Sequence, residues 1–231
     1  MPPPPEPTIL AGVERVALAR WVETRLHVLY GEVSFGDQDP LATLVQTILS
    51  QNTTDANSER AYASLMKRFM TLERVRRASV DAVAEAIRVG GLHHAKAATI
   101  KRLLGRIWRE RGCLDLSFLS RLSLDEARAW LLASPGVGEK TTAIVVLFSL
   151  GRPRFPVDTH VRRVATRVGL LDRGGDPHHA MNALLPRDAR LMANLHLHLV
   201  RHGRETCHPH RPACDRCVLA RHCQFLLGEK D

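Results

Sequence analysis

Apolar residues recur at helical spacing from Val13 to Leu29, with Trp21 among them, and this pattern predicts a first helix. Asp39-Pro40 precedes Leu41 to Leu49, placing a carboxylate at the N-cap and proline at the first helical position, so a second helix should run to about Ser50. Asp55 to Phe69 is periodic again. Ser79 can cap a helix to Val89 that Gly90-Gly91 ends, and Ala95 to Arg109 predicts a longer, basic helix. Ser123-x-x-Glu126 reads as a capping box opening a helix that ends near Ser134. Further helices are expected at Lys140 to Leu150, Thr159 to Leu170, Pro177 to Leu185 and Arg187 to His202. Period-two runs bounded by turn residues are missing, and only 11 of the 231 residues are aromatic, so a sheet has little to be built from. The expected fold is all-α.

Charge changes the picture first. Lys and Arg number 33 against 24 Asp and Glu, a net charge of +9 that points to a polyanionic partner. The longest apolar stretch, Ala143 to Phe148, is far short of the roughly 20 residues a membrane-spanning helix needs. The opening Met1-Pro2-Pro3-Pro4-Pro5-Glu6-Pro7 lacks both the basic start and the apolar stretch of a signal peptide, so residues 1–8 are expected to be a flexible leader and the protein intracellular.

Four of the five cysteines, Cys207, Cys214, Cys217 and Cys223, fall within 17 residues near the end of the chain, while Cys113 stands alone. A disulfide framework would spread its cysteines, whereas this foursome suggests thiolates on one metal centre. The spacing x6, x2, x5 does not choose between zinc and iron–sulfur, and nearby Arg201, Arg204, Arg211, Arg216 and Arg221 would offset either. Cys113 is expected to be a small buried hydrophobe or a helix-end residue, because no activating partner adjoins it. His208, His210 and His222 are expected to support the metal site or face phosphate.

Pro135-Gly136-Val137-Gly138 between two predicted helices reads as a helix-hairpin-helix. Its glycines would let the backbone approach another molecule, and the first-turn amides of the following helix would face a phosphate oxygen without regard to base sequence. A nucleotide P-loop is excluded because Glu139 separates Gly138 from Lys140, and a dinucleotide fingerprint lacks its strand and third glycine. Lys140 stands out because only five lysines occur beside 28 arginines. An ammonium at a helix start is electrostatically unfavourable, yet an amine can attack carbon and a guanidinium cannot. Helix Thr141 to Leu150 would be about 15 Å long. Residues 151–157 can extend to roughly 23 Å. The loop could therefore return Asp158 to the side of Lys140. Asp158 also suits an N-cap, a role that does not exclude catalysis.

Taken together, Pro135-Gly136-Val137-Gly138-Glu139-Lys140-Thr141, then Pro156-Val157-Asp158-Thr159-His160-Val161, then the four-cysteine signature resemble the endonuclease III family of DNA glycosylases, over nearly the whole chain after the leader. The resemblance implies a [4Fe–4S] cluster on the cysteines and two helical lobes with DNA between them. One lobe would be a six-helix barrel over residues 33–152. Residues 9–32 and 153–231 would form the other, carrying the cluster. It further implies that Lys140 attacks C1′ of a damaged nucleotide, expels the base and forms a Schiff base before β-elimination, with Asp158 as the catalytic carboxylate. Gly136, Val137, Gly138, Thr141 and His160 would contact DNA. Leu92 matches a residue that wedges into the gap left by a flipped base.

The chain departs from the family at four places. Asn52, preceded by Gln51, stands where a gap-filling glutamine that contacts the opposite strand is usual, Ser134 replaces leucine, Glu139 is acidic, and His93-His94 replaces Tyr-Asn. Glu139 should weaken phosphate binding or pair with an arginine. The expected activity is a bifunctional DNA glycosylase and abasic-site lyase removing oxidised pyrimidines from duplex DNA, in a monomeric, cytoplasmic, nucleoid-associated protein of prokaryotic type. The alternatives are a mismatch adenine glycosylase relative, which normally has no lysine here and carries a further C-terminal domain, and a non-catalytic iron–sulfur DNA-binding protein.

Overall fold

Short polar side chains start most of the helices, as their patterning suggests. In the computed structural model, which describes residues 12–228 apart from 34 and 37, Asp39 accepts from Leu41 N at 3.0 Å. Pro40 then opens the helix that follows. The leader expected over residues 1–8 lies outside the described residues. Among the described residues there are helices, turns and no strands, so the fold is all-α.

The chain divides into two compact units, one of residues Gly36–Arg152 and the other of Met1–Phe35 with Pro153–Asp231. The Gly36–Arg152 unit contains α2 (Pro40–Ser50), α3 (Asp55–Phe69), α4 (Leu72–Arg77), α5 (Val80–Ala86), α6 (His93–Arg111), α7 (Leu124–Leu132) and α8 (Glu139–Ile144). Its core gathers Leu44, Ile48, Leu65, Val83, Ile100, Leu104, Leu131 and Val146, all fully buried. The second unit contains α1 (Gly12–Tyr30), α9 (Thr159–Val168), α10 (Pro177–Leu184), α11 (Ala189–Glu205) and α12 (Gln224–Leu227). There α11 packs on α9 and α1, around Val22, Leu26, Phe155, Val164, Leu195 and Leu199.

Three local departures from the expected helices have physical causes. The helix expected from Ser79 to Val89 stops at Ala86 and tightens into a 3-10 turn over Arg88–Gly90. The amide of Ile87 is shared among carbonyls there. A Cβ on Gly90 would lie 3.1 Å from Ala61 Cβ, so the turn can lie close against α3. The helix expected from Lys140 to Leu150 is α-helical only to Ile144. It then widens into a π turn over Val145–Ser149, where Leu150 N donates to Val145 O at 3.1 Å. Finally, α4 escapes periodicity because it is six residues long, although Thr71 caps it by accepting from Arg74 N.

The second unit also carries a pH dependence. His198 on α11 is buried, and its Nε2 lies 2.8 Å from Gly31 O. Burial lowers the imidazole pKa below its ordinary value, a shift opposed by the Gly31 carbonyl and reinforced by His27 and Arg201. The ring is therefore neutral with its proton on Nε2, and protonation would add an N–H at Nδ1, which is buried without a partner. Because the folded pKa lies below the unfolded one, this stability is present above the ordinary histidine range and is lost as pH falls through the folded value. Melting temperature should drop as pH falls below the ordinary histidine range, and His198→Gln should flatten part of that slope. A slope unchanged in the variant would remove His198 from the account.

Candidate active site

Gly136 is the residue on which the hairpin geometry depends. Its φ is +74°, and a Cβ there would lie 2.2 Å from Thr99 Cγ2, so both backbone and space require glycine. Gly138 differs. Its φ of −101° suits any residue, yet a Cβ would meet nothing within 4 Å, leaving open the approach to the first turn of α8. Those amides have no intrahelical acceptor, by helix geometry. Val137 turns its side chain into the core, and its amide donates to Ser134 O at 3.2 Å, closing the turn. Thr141 is also buried, so any DNA contact by these two residues would come through backbone.

The unusual hairpin residues have partners. Arg128 on α7 pairs with Glu139, its Nε 3.4 Å from the second carboxylate oxygen, so the acid beside Lys140 is charge-matched. Ser134 is buried and accepts from Arg106 Nη1 at 2.8 Å, which gives a polar reason for serine where leucine is usual. Lys140 is half-buried, the second residue of α8.

Two turns accompany the hairpin in this unit. Gln51 Nε2 donates to Gly136 O at 3.2 Å, joining the end of α2 to the hairpin. Asn52 is exposed with φ of +51°, a conformation asparagine tolerates. Leu92 is left-handed too, with φ of +48° and ψ of +32°, and 59% of this large apolar residue is exposed. An apolar side chain held out in strained backbone suits a wedge. The His93 and His94 rings beside it lie 4.8 Å apart, and His94 Nδ1 is 3.7 Å from Asp81 Oδ1. Cys113 follows the Gly112 C-cap of α6 and is exposed, which corrects the expectation of a buried hydrophobe and retains the helix-end position.

In the second unit Asp158 caps α9, its Oδ1 accepting from Val161 N at 2.7 Å. His160 is half-buried, with Nδ1 3.1 Å from Arg163 Nη2. Burial lowers the His160 pKa, Asp158 works against it, and Arg163 and Arg204 reinforce it.

All four cysteines of the foursome line one recess, together with Val164, Val168, Leu219 and Phe225. No three His, Cys, Asp or Glu side chains among the described residues are disposed to hold a single metal ion. Burial pushes the Cys217 thiol up to about 11 and raises those of Cys214 and Cys223, so these sulfurs would keep their protons unless a metal replaced them. The supporting side chains are not the ones nearby in sequence. Arg167 on α9 donates to Cys207 Sγ at 3.5 Å and to His208 O at 2.7 Å. His202 Nε2 lies 3.4 Å from Cys217 Sγ, and Tyr30 Oη lies 3.3 Å from His202 Nδ1. Arg216 instead donates to Glu205 O, Arg201 pairs with Glu205, and His222 packs edge-on against Trp21. Arg167 and His202 were missed because helical spacing gives no sign that they face a loop some 15 to 40 residues further on.

The described residues thus form two all-helical units, with a glycine hairpin leading to a lysine in one and a four-cysteine tail in the other. Residues 45–187 match the HhH-GPD superfamily of base excision DNA repair proteins, and the chain belongs to it. It is 34% identical to an Endonuclease III of Sulfolobus acidocaldarius over 80% of this chain and 82% of that one. It is 33% identical to an Endonuclease III of Thermotoga maritima over 82% and 84%. In structure it is similar to a non-covalent Endonuclease III–DNA complex, with a TM-score of 0.77 and 23% identity, over 93% of this chain and 96% of that one. That likeness concerns the fold.

Proposed function

We propose that the chain excises oxidised pyrimidines from duplex DNA and nicks the strand, with Lys140 as nucleophile and Asp158 as its carboxylate partner. It is an enzyme of the DNA glycosylase and lyase class, acting in base excision. The observation that carries the reading is an amine at the mouth of α8, beside a glycine approach open enough for a phosphate backbone and beside an acid already matched by Arg128.

On this reading the Gly138 hairpin and the first-turn amides of α8 hold a phosphate, and Leu92 fills the gap left by the extruded nucleotide. Gln51 and Asn52 then meet the opposite strand. After the Lys140 ammonium has given up a proton to water, its Nζ attacks C1′ as the C1′–N bond to the base breaks, and the base leaves with its electron pair. Asp158 stabilises the positive charge growing on the sugar. Loss of the amine proton and ring opening give the Schiff base. Abstraction of a C2′ proton then breaks the C3′–O bond, so the phosphate leaves and the strand is nicked. His160, two residues after Asp158, is assigned a contact with DNA.

The cysteine recess is assigned to a [4Fe–4S] cluster on the chemistry of its four thiols. All four cysteines line it, and Arg167 would offset part of the negative charge that four thiolates bring. Cys207, Cys214, Cys217 and Cys223 would hold the cluster. Bound there, it would supply cross-links that fold a tail poor in apolar residues. Purified protein should be brown, with about four irons per chain.

Duplexes carrying single defined lesions test the substrate class. Oxidised pyrimidines should be removed and the strand nicked, while adenine opposite 8-oxoguanine should be left in place. Removal of mismatched adenine alone would transfer the chain to the adenine-glycosylase reading. Binding without base removal on any lesion would favour the non-catalytic reading.

A further inference from the structure

Lys96 is a buried cation with no role in the chemistry above. It lies on α6, one turn beyond Leu92, with its amide donating to Leu92 O at 3.0 Å, and only 3% of it is exposed. Its Nζ donates to Leu49 O at 2.7 Å and to Gly90 O at 2.8 Å. Leu49 lies in the last turn of α2, just before Gln51-Asn52, and Gly90 ends the 3-10 turn, just before Gly91-Leu92.

One ammonium thus spans the chain ends from which two turns spring, and Gln51 connects the first of them to the hairpin. Burial lowers the Lys96 pKa, and no carboxylate contributes to the shift. A methionine of similar shape would fill this place without the cost of burying a charge. The cation therefore serves something besides core filling: two carbonyl ends with partial negative charge, drawn to one point.

We propose that Lys96 is a positioning residue that fixes the Gln51-Asn52 turn and the Gly91-Leu92 turn at a set separation, so that wedge and opposite-strand contact enter duplex DNA as one rigid unit. The inference rests on the glycosylase reading of the site and adds to it the origin of that rigidity. Losing the ammonium would let the two turns drift apart. Base extrusion from a duplex would suffer, while attack on an abasic site in single-stranded DNA, which requires no extrusion, would not.

Lys96→Met tests this in the full-length protein. With 2-aminopurine placed beside an oxidised pyrimidine, the fluorescence rise that reports extrusion should fall at least tenfold in rate. For base removal from the duplex, kcat should fall in parallel with KM nearly unchanged, and cleavage of a single-stranded abasic site should stay within about twofold of wild type. Lys96→Gln, which keeps an N–H donor without the charge, should lie between the two and provides the same comparison if the methionine variant does not fold. Extrusion at the wild-type rate in a folded variant would overturn the proposal, and so would an equal loss of both activities, the signature of a purely structural lysine. If the wild type neither extrudes a base nor cleaves the single-stranded site, the glycosylase reading itself fails, and the proposal with it.

Discussion

Lys140→Gln is expected to reduce strand nicking by at least about 10^3-fold, because the amide cannot supply an electron pair to C1′. Affinity for a duplex carrying an uncleavable abasic analogue should change little. The phosphate contact is assigned to backbone amides and the hairpin glycines, which the substitution leaves in place. The stability of the fold should also be preserved, since Lys140 is half-buried at a helix start where its charge opposes the dipole. Nicking rates and binding isotherms on the same duplex separate these effects. A variant that nicks normally would assign the chemistry to another group, and one that loses binding and nicking together would make Lys140 a phosphate contact.

Gly136→Ala is expected to cause the largest loss of stability of any single methyl added to the hairpin. Left-handed backbone costs alanine about 1–2 kcal/mol, and the new Cβ would drive into Thr99 Cγ2, bringing the total to about 3 kcal/mol or more. The Gly136 carbonyl also accepts from Gln51, so the displaced turn should disturb the neighbouring loop. Thr99→Ser removes the opposing methyl. In that background Gly136→Ala should cost only the backbone strain, about 1–2 kcal/mol. Urea unfolding of the four proteins of this cycle measures both parts, and a cost unchanged by Thr99→Ser would show that the close approach is not what demands glycine.

The helices were legible in the sequence wherever a cap and a period coincided. Asp39-Pro40 before α2 and Ser123 with Glu126 before α7 show this, the latter a capping box with both of its hydrogen bonds. What remained hidden is local geometry with no period of its own. The uniformly apolar run Ala143 to Phe148 does not reveal that its register slips into a π turn, and nothing in Gly-Gly-Leu announces that Leu92 itself is left-handed. The hairpin, Lys140, Asp158 and the cysteine foursome were visible as motifs because their residue types and spacing are unusual. Their support was not. Arg128 at Glu139, Lys96 between two turns and Arg167 at Cys207 act across 11, 47 and 40 residues, and each belongs to a helix whose pattern is explained by burial alone.

Borohydride reduction on a duplex carrying an oxidised pyrimidine, followed by peptide mapping of the adduct, tests the Schiff base most directly. The expected product is a covalent protein–DNA species whose single modified side chain is Lys140. No adduct on DNA that is nevertheless nicked, or an adduct on Lys96, on any other lysine or on the chain's own N-terminus, would contradict the account.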